Sequence, residues 1–552
     1  MIADIHITEK SFGDKTLMKD VKFSVDDGEK VGVVGRNGVG KSTLFGILSG
    51  KDTDYTGEVI FRRGITVATT AQEHHGLGEQ TVMSYILDGL PEYSKLKKII
   101  DEYPLTMGDN MRKIEEYTQA LERFDQKGFY QVEEKIEREL SNFQLDGYGN
   151  RRISSLSGGQ KRLVEIVKIM HSEAHLALID EPTNHMDYVA KQQFIDWMNS
   201  QPHQAMLIIT HDRDVLEQVD RIVEIKDGQA VSYRGNYDAY LKQNAQATTA
   251  GMNNFEQIEK RIVNLKQKVL DYQRLKEKSR NPGTIQKFKR LENEARAELA
   301  ELSEMEKPTF WIDKESASQL DYKSAERYGK FKSRNIRLSM KDASSRSQHV
   351  LVRAENVAVG IGERILFEDV NIDLREGEAI EIRGRNGAGK TTLIRMILAS
   401  GKSFDGGSVL YSGDIFLDPQ VRIGVYEQEI DERYLSDPLE KAIEKLYMSR
   451  DLSISDTKIR QLLADYLFTD ADRMTPLARL SGGQKARFQI ISMLANDPQL
   501  LVLDEPTNHL DLPSIEELET ALAKYSGAIL YVSHDNYFRE KLGGKVVQIG
   551  AE

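Results

Sequence analysis

The sequence predicts an α/β protein built twice, with two phosphate-loop domains in tandem (1–241 and 349–552), an antiparallel α-helical hairpin between them (242–348) and a helical arm inserted in the first domain. Three observations predict it. A glycine-rich loop occurs twice, each time between an apolar strand-like run and a helical segment. The motifs that follow each loop recur in the same order. The joint between the copies carries apolar residues at a 4-3-4-3 spacing, the seam of a coiled coil, interrupted at Asn281-Pro-Gly283.

At 552 residues the chain exceeds what one hydrophobic core usually supports. Hydrophobic residues at 39% and charged residues at 29% fit a folded globular chain and exclude a disordered one. No run approaches eighteen apolar residues, and the opening MIADIHITEKSF lacks the basic n-region and apolar core of a secretory signal, so neither a membrane span nor export is expected. With no cysteine, disulfides, thiolate-held zinc and iron–sulfur clusters are excluded, and the expected location is cytoplasmic. A net charge of −12 argues against a polyanionic partner until its distribution is read. Residues 242–348 hold 23 Lys/Arg against 15 Asp/Glu, so the joint carries +8 and the remainder −20.

The first copy runs Val31-Gly-Val-Val34 into Gly35, and Leu44-Phe45 follows Thr43, which sets the loop between strand and helix. Gly35, Asn37, Gly38 and Gly40 let backbone N–H groups curl around phosphates. The helix N-terminus adds positive potential, Lys41 adds a full charge, and Ser42, followed by Thr43, suits Mg2+. Gly384, Asn386, Gly387, Gly389, Lys390, Thr391 and Thr392 repeat the set, with Thr391 in the place of Ser42. Runs that read as buried parallel strands end at Asp180-Glu181 and Asp504-Glu505. Asp180 and Asp504 suit Mg2+, directly or through water, while Glu181 and Glu505 suit orienting or deprotonating the attacking nucleophile. Both glutamates are present, so neither site is expected to be inert.

Leu156-Ser-Gly-Gly-Gln160 recurs as Leu480-Ser-Gly-Gly-Gln484, and Ser157 precedes Glu181 by the same 24 positions that separate Ser481 from Glu505. From Gln72 to Ser157 is 85 positions but from Gln428 to Ser481 only 53, so the first copy holds 32 extra residues, around Glu92 to Leu140. That stretch is charged and reads as a helical arm projecting from domain one.

In the joint, Ile258, Ile262, Leu265, Val269 and Tyr272 give one apolar seam, and Ile285, Phe288, Leu291, Ala295, Leu299 and Leu302 give the next. Two antiparallel helices with a tight turn follow. Between Lys266 and Arg290 nine Lys/Arg face only Asp271 and Glu277. Lys276, Lys278, Arg280, Lys287, Lys289 and Arg290 flank the turn as candidate RNA contacts. A solvated face is the usual fate of such a charge run, yet joining two domains requires neither the length of this hairpin nor its charge bias.

The order glycine loop, Gln72 or Gln428, Leu-Ser-Gly-Gly-Gln, strand-Asp-Glu, His211 or His534 resembles the ATP-binding-cassette family over both copies. The resemblance implies two P-loop ATP-binding-cassette domains that meet head to tail and bind ATP with Mg2+. ATP on Lys41 is then completed by Ser481, Gly482, Gly483 and Gln484, and ATP on Lys390 by Ser157, Gly158, Gly159 and Gln160. By the same resemblance Gln72 and Gln428 contact metal and water, His211 and His534 are γ-phosphate switches, and Phe12 stacks on adenine. The second copy departs from the pattern with Ile361 in that place. Base–aromatic stacking contributes about 1–3 kcal/mol, so weaker nucleotide holding is expected there.

Two cassettes on one chain, a charged hairpin between them and Asp-Glu-Pro-Thr-Asn-His-Met/Leu-Asp in both copies resemble the ABC-F proteins, a family of soluble translation factors. This implies an ATPase, a monomer with an intramolecular cassette dimer and no membrane partner. The hairpin, about Asn253 to Glu306, would enter the ribosomal E site and meet rRNA and P-site tRNA, and the arm would touch the stalk side. The outcome would be modulation of translation or protection from peptidyl-transferase antibiotics, and the sequence leaves both open. The alternative is a DNA-processing ABC-F ATPase on branched or damaged DNA; relatives of that kind carry a C-terminal coiled coil, and the end at Glu552 counts against it. A transporter's ATPase subunit is disfavoured by the fused cassettes and basic hairpin. His74 and His75 read as a solvated loop, and His171, His175, Trp197 and Trp311 as structural residues.

Overall fold

A computed structural model describes all residues except 14, 71–78, 107, 109, 185, 306, 321, 339–348, 363, 401–407, 428–429 and 551–552. Its internal contacts divide the chain into two units, residues 1–237 with 336–552, and residues 238–335.

Both copies lie in the first unit. In copy one a six-stranded sheet has the order Val67–Thr69, Leu176–Asp180, Ala205–Ile209, Lys30–Gly35, Arg221–Lys226, Gln229–Arg234, parallel throughout except for the last pair. Copy two has the order Ile423–Tyr426, Leu500–Asp504, Ala528–Val532, Ala379–Arg383, Lys545–Gln548. The runs that end at Asp180, Ile209, Asp504 and Val532 are buried at every position, as a parallel sheet covered on both faces requires. Each copy adds a three-stranded antiparallel sheet, in which Ala3–Phe12 lies between Lys15–Val25 and Thr56–Phe61, and Val350–Ile361 between Arg364–Arg375 and Ser408–Leu417. The strand order places the glycine loop, Asp180-Glu181 and His211 at the C-terminal ends of three adjacent strands, where open α/β sheets bind ligands.

The extra residues of copy one form the helices Tyr93–Thr106 and Met111–Gln126, followed by Val132–Asn142. The arm is rooted rather than loose. Tyr93, Phe124 and Phe129 meet with ring centroids 5.2–5.6 Å apart, and Ile136 and Leu140 continue that cluster into the domain core. At the far end Leu105 and Met111 are exposed. Copy two has shorter helices there, Leu439–Met448 and Asp456–Asp465.

The second unit is the hairpin and its return. Helix Tyr237–Lys278 runs 42 residues and Pro282–Glu304 runs 23. The interruption expected at Asn281-Pro-Gly283 lies where the first helix has ended, at Lys278, and its Pro282 opens the second helix. Asn281 caps it by accepting from Gly283 N–H at 2.9 Å, and Pro282 takes the first-turn position where a missing N–H costs nothing. The helices are tied by Leu265 and Ala295 in the seam, a Tyr272–Phe288 stack at 6.4 Å and a bidentate Arg261–Glu298 pair at 2.7 and 2.9 Å. The returning segment closes a small core of Met252, Ile312, Tyr328 and Phe331 at the base of the first helix, with Asn244 donating to the Trp311 carbonyl at 2.8 Å.

Candidate active site between the cassettes

Gly40 caps helix Lys41–Leu48 at φ 103°, and Gly389 caps Lys390–Leu398 at φ 97°. A Cβ would meet Leu17 Cδ2 at 2.8 Å in the first loop and Phe367 Cε1 at 2.9 Å in the second, so shape and dihedral both demand glycine. The buried Lys41 ammonium donates to the Gly35 carbonyl at 2.6 Å, and Lys390 to the Gly384 carbonyl at 2.8 Å. Burial lowers both lysine pKa values while the nearby acids oppose it.

Ser42 Oγ donates to Asp180 Oδ2 at 3.1 Å, and Thr391 Oγ1 to Asp504 Oδ2 at 2.7 Å. Among the described residues no group of three or more His, Cys, Asp or Glu is placed to hold a metal. One hydroxyl and one carboxylate per site suit Mg2+, which keeps waters and takes phosphate oxygens. His211 Nε2 lies 3.6 Å from Glu181 Oε1 and His534 Nε2 3.3 Å from Glu505 Oε1, out of hydrogen-bond alignment. Both ring nitrogens of His211, His534 Nε2 and Glu505 Oε1 are buried with no hydrogen-bond partner among the described residues. Polar atoms this buried are normally satisfied, and a polar ligand in the cleft they line would satisfy them.

Burial, then the Asp504 charge, pushes the Glu505 carboxyl up to about 7, and Glu181 is raised for the same reasons. Burial, then Lys390, pushes His534 down to about 3, and His211 moves in the same direction beside Lys41. Both imidazoles are therefore neutral at physiological pH.

The Ser-Gly-Gly-Gln segments start helices Gly158–His171 and Gly482–Leu494, each with a capping box between Ser157 and Gln160 or Ser481 and Gln484. A cavity of about 950 Å³ is lined by Ser157, Gly158, Gly159 and Gln160 of copy one and by Asn386, Gly387, Gly389, Lys390, Thr391, Thr392, Asp504, Glu505 and His534 of copy two. Across the other half, Asn37 Nδ2 donates to the His509 carbonyl at 2.8 Å, and a Cβ on Gly483 would lie 2.1 Å from that Nδ2. The absence of a side chain at Gly483 is thus what lets the first loop approach.

Two aspartates that end the repeated Asp-Glu-Pro-Thr-Asn-His-Met/Leu-Asp motif, given no role from sequence, complete the contact. Asp187 accepts from Asn386 N–H at 3.0 Å and Asp511 from Asn37 N–H at 3.1 Å, each from the opposite copy. Their sequence signal is their place as the last residue of that motif, seven positions after Asp180 and Asp504. Phe12 is exposed at its strand end and pairs in register with Lys15, as Ile361 does with Arg364, so the two hold matching places. Ile361, Arg364 and Leu366 line the Lys390 cavity. Gln72, Gln428, His74 and His75 lie outside the described residues.

A family model described as ABC transporter matches residues 18–184 and 367–508, more than half of the chain. The chain belongs to the ATP-binding-cassette family, in its ABC-F group. This ABC-F protein is an ATPase. It is 29% identical over 553 residues to "ABC transporter F family member 2" of Arabidopsis thaliana, covering 98% of this chain and 75% of that one. To "Ribosome protection protein VmlR" of Bacillus subtilis (strain 168) it is 27% identical over 531 residues, covering 96% and 83%. To "Energy-dependent translational throttle protein EttA" of Mycobacterium tuberculosis (strain CDC 1551 / Oshkosh) it is 28% identical over 539 residues, covering 96% and 88%. Its fold is shared with the archaeal ribosome recycling factor aABCE1 in a crystal structure with the stalk protein aP1, at TM-score 0.59 and 17% identity, over 99% of this chain and 87% of that one. Among the described residues, no helix of the ABC-F chain is long and apolar enough to cross a membrane.

At the hairpin tip of the ABC-F chain, Lys276 is held by Glu292 at 2.6 Å and Arg290 by Glu294 at 2.8 Å. Lys278, Arg280, Lys287 and Lys289 are exposed and have no ion-pair partner among the described residues. The six basic candidates therefore divide into two internally neutralised and four free.

Proposed function

We propose that this ATPase binds two ATP molecules between its cassettes and uses the closed form to act on the ribosome, with the basic hairpin tip meeting rRNA and P-site tRNA in the E-site region. The observation that carries the reading is the cavity in which Lys390 and Ser157 to Gln160 of the opposite copy face one ligand space, so that nucleotide becomes part of the interface. Mg2+, held by Ser42 and Asp180 at one site and by Thr391 and Asp504 at the other, supplies charge neutralisation at the phosphates. Glu181 and Glu505 accept the proton of the attacking water, His211 and His534 contact the γ-phosphate as neutral imidazoles, and Phe12 carries adenine at the first site. Gln72 and Gln428 are proposed at the metal and water. The relatives named for ribosome protection and for a translational throttle support the ribosome as partner.

The test is cosedimentation of the Glu181→Gln, Glu505→Gln double variant with bacterial ribosomes in ATP and in ADP. Binding in ATP that is lost in ADP is expected; equal binding in both, or none, refutes the reading. Growth with and without the gene on a panel of peptidyl-transferase inhibitors then separates protection from general modulation, since protection raises tolerance to particular inhibitors only.

A further inference from the structure

Lys191 lies four residues after Asp187 in helix Tyr188–Ser200 and is 5% exposed. Its ammonium contacts Asp214 Oδ2 at 2.5 Å and Asp212 Oδ2 at 3.4 Å, and donates to the backbone carbonyl of His534 in the opposite cassette at 2.8 Å. Asp212 follows His211 directly, so one buried cation touches the switch loops of both ATP sites. The His534 residue is held from both sides, because its N–H donates to Glu505 Oε2 at 3.1 Å while its carbonyl accepts from Lys191. Asn536 Nδ2 adds a cross-cassette bond to Asp214 at 2.8 Å. The duplicate does not have this arrangement. Four residues after Asp511 stands Ile515, buried and unable to donate.

We propose that Lys191 is a positioning residue for hydrolysis at the Lys390 site: by gripping the His534 carbonyl from across the interface it fixes the residue whose N–H orients Glu505, and it makes turnover there depend on cassette closure and on the Asp212 loop of the other site. Three charge-assisted contacts made by a desolvated ammonium are strong ones; two of them, to Asp212 and Asp214, hold the ammonium within its own cassette, and the third, to the His534 carbonyl, exists only while the cassettes are together. The Lys41 site, served by Ile515, lacks that grip. The duplicated ATPase thus has one site whose geometry is tied to its neighbour's switch loop and one whose geometry is not.

This rests on the reading of Glu181 and Glu505 as the groups that drive hydrolysis. The test therefore uses single-site backgrounds, Glu181→Gln to leave the Lys390 site and Glu505→Gln to leave the Lys41 site. Lys191→Met is expected to lower kcat at least about tenfold in the first background, with KM for ATP changed less than about threefold, because misplacing a reacting group by an ångström costs on the order of 10²-fold. In the second background the fall should be at least about fivefold smaller, and Lys191→Arg should restore most of the rate. An equal fall in both backgrounds marks a merely structural lysine and overturns the proposal, as does no fall in either. If Lys191→Met does not fold, Lys191→Met with Asp214→Asn removes the nearer of the two stranded carboxylates and is judged by the same ratio. If the Glu→Gln variants alone keep parental turnover, the reading of the glutamates fails first, and this proposal with it.

Discussion

Glu181 and Glu505 sit in left-handed backbone, at φ 47° and 51°, with their N–H groups tied to Ile209 and Val532 carbonyls of the neighbouring strands. Such residues cost on the order of 1–3 kcal/mol and persist where the surroundings over-determine them. Here the strain turns each carboxyl toward its histidine. Replacing both by Gln keeps shape and is expected to preserve ATP binding while slowing hydrolysis at least ~100-fold, the contribution of a general base; near-normal phosphate release by the double variant would remove the assignment. The raised carboxyl also fixes a pH dependence. With Glu505 pushed up to about 7, the free enzyme loses its base as pH falls through that value, while His534, pushed down to about 3, stays neutral over the same range. In the Glu181→Gln background kcat/KM for ATP should therefore fall about tenfold per unit below pH 7. A profile flat from pH 5.5 to 7.5 would count against Glu505 as the base. The glycine loops, the Asp-Glu pairs and the histidines were legible in sequence because their chemistry fixes residue types at fixed spacings. Asp187 and Asp511 were visible as the ends of a repeated motif but their role was not, because the groups they bind lie in the other copy, and Lys191 was not legible because it has no counterpart at the duplicate position, Ile515.

Helices and strands were legible where periodicity was long and illegible where one residue serves two purposes. Proline in Asn281-Pro-Gly283 both stops helices and starts them, and only the Asn281 cap settles which. The hairpin charges are similar, since sequence counts six flanking cations while side-chain pairing leaves four free. Each phosphate contact adds roughly 0.7–0.9 to the slope of log affinity against log salt. Changing Lys278, Arg280, Lys287 and Lys289 to Ala should therefore flatten the slope of log affinity for ribosomes against log salt by up to about 3.6, with ribosome-free ATP hydrolysis retained. Changing Lys276 and Arg290 alone should do much less, because both are already neutralised by Glu292 and Glu294. An unaltered slope in the four-residue variant would make the tip a solvated face. The adenine strands carry a second contrast. Phe12→Ala should weaken ATP at the first site by the 1–3 kcal/mol of a base–aromatic stack, and Ile361→Tyr should tighten the second. Equal intrinsic affinities in nucleotide titrations of single-site parents would contradict the asymmetry.

The duplication makes the two cassettes look interchangeable, and the Asp187 and Asp511 contacts are reciprocal, yet one part of the contact between them is one-sided. Arg213 Nη1 donates to Glu519 Oε1 of the other copy at 2.9 Å, both side chains nearly dry at 6% and 3% exposure, and the guanidinium also lies 5.1 Å from the Tyr537 ring centroid. The duplicate positions are Asn536 and Ile195, which cannot form an ion pair. Burial pushes the Glu519 carboxyl up, and the guanidinium works against that shift. Removing one partner of a buried pair costs about 3–5 kcal/mol because a charge is left unpaired, whereas replacing both by apolar groups is often neutral. Arg213→Met should therefore raise the ATP concentration for half-closure by more than 10²-fold, as read by a fluorophore pair placed one on each cassette. Arg213→Met with Glu519→Leu should recover most of that loss, because no charge is then stranded. A double variant as impaired as the single one would mean that the pair itself holds the cassettes together. Closure unchanged in both variants would mean that ATP and the Asp187 and Asp511 contacts suffice, and that the ion pair only selects which faces meet.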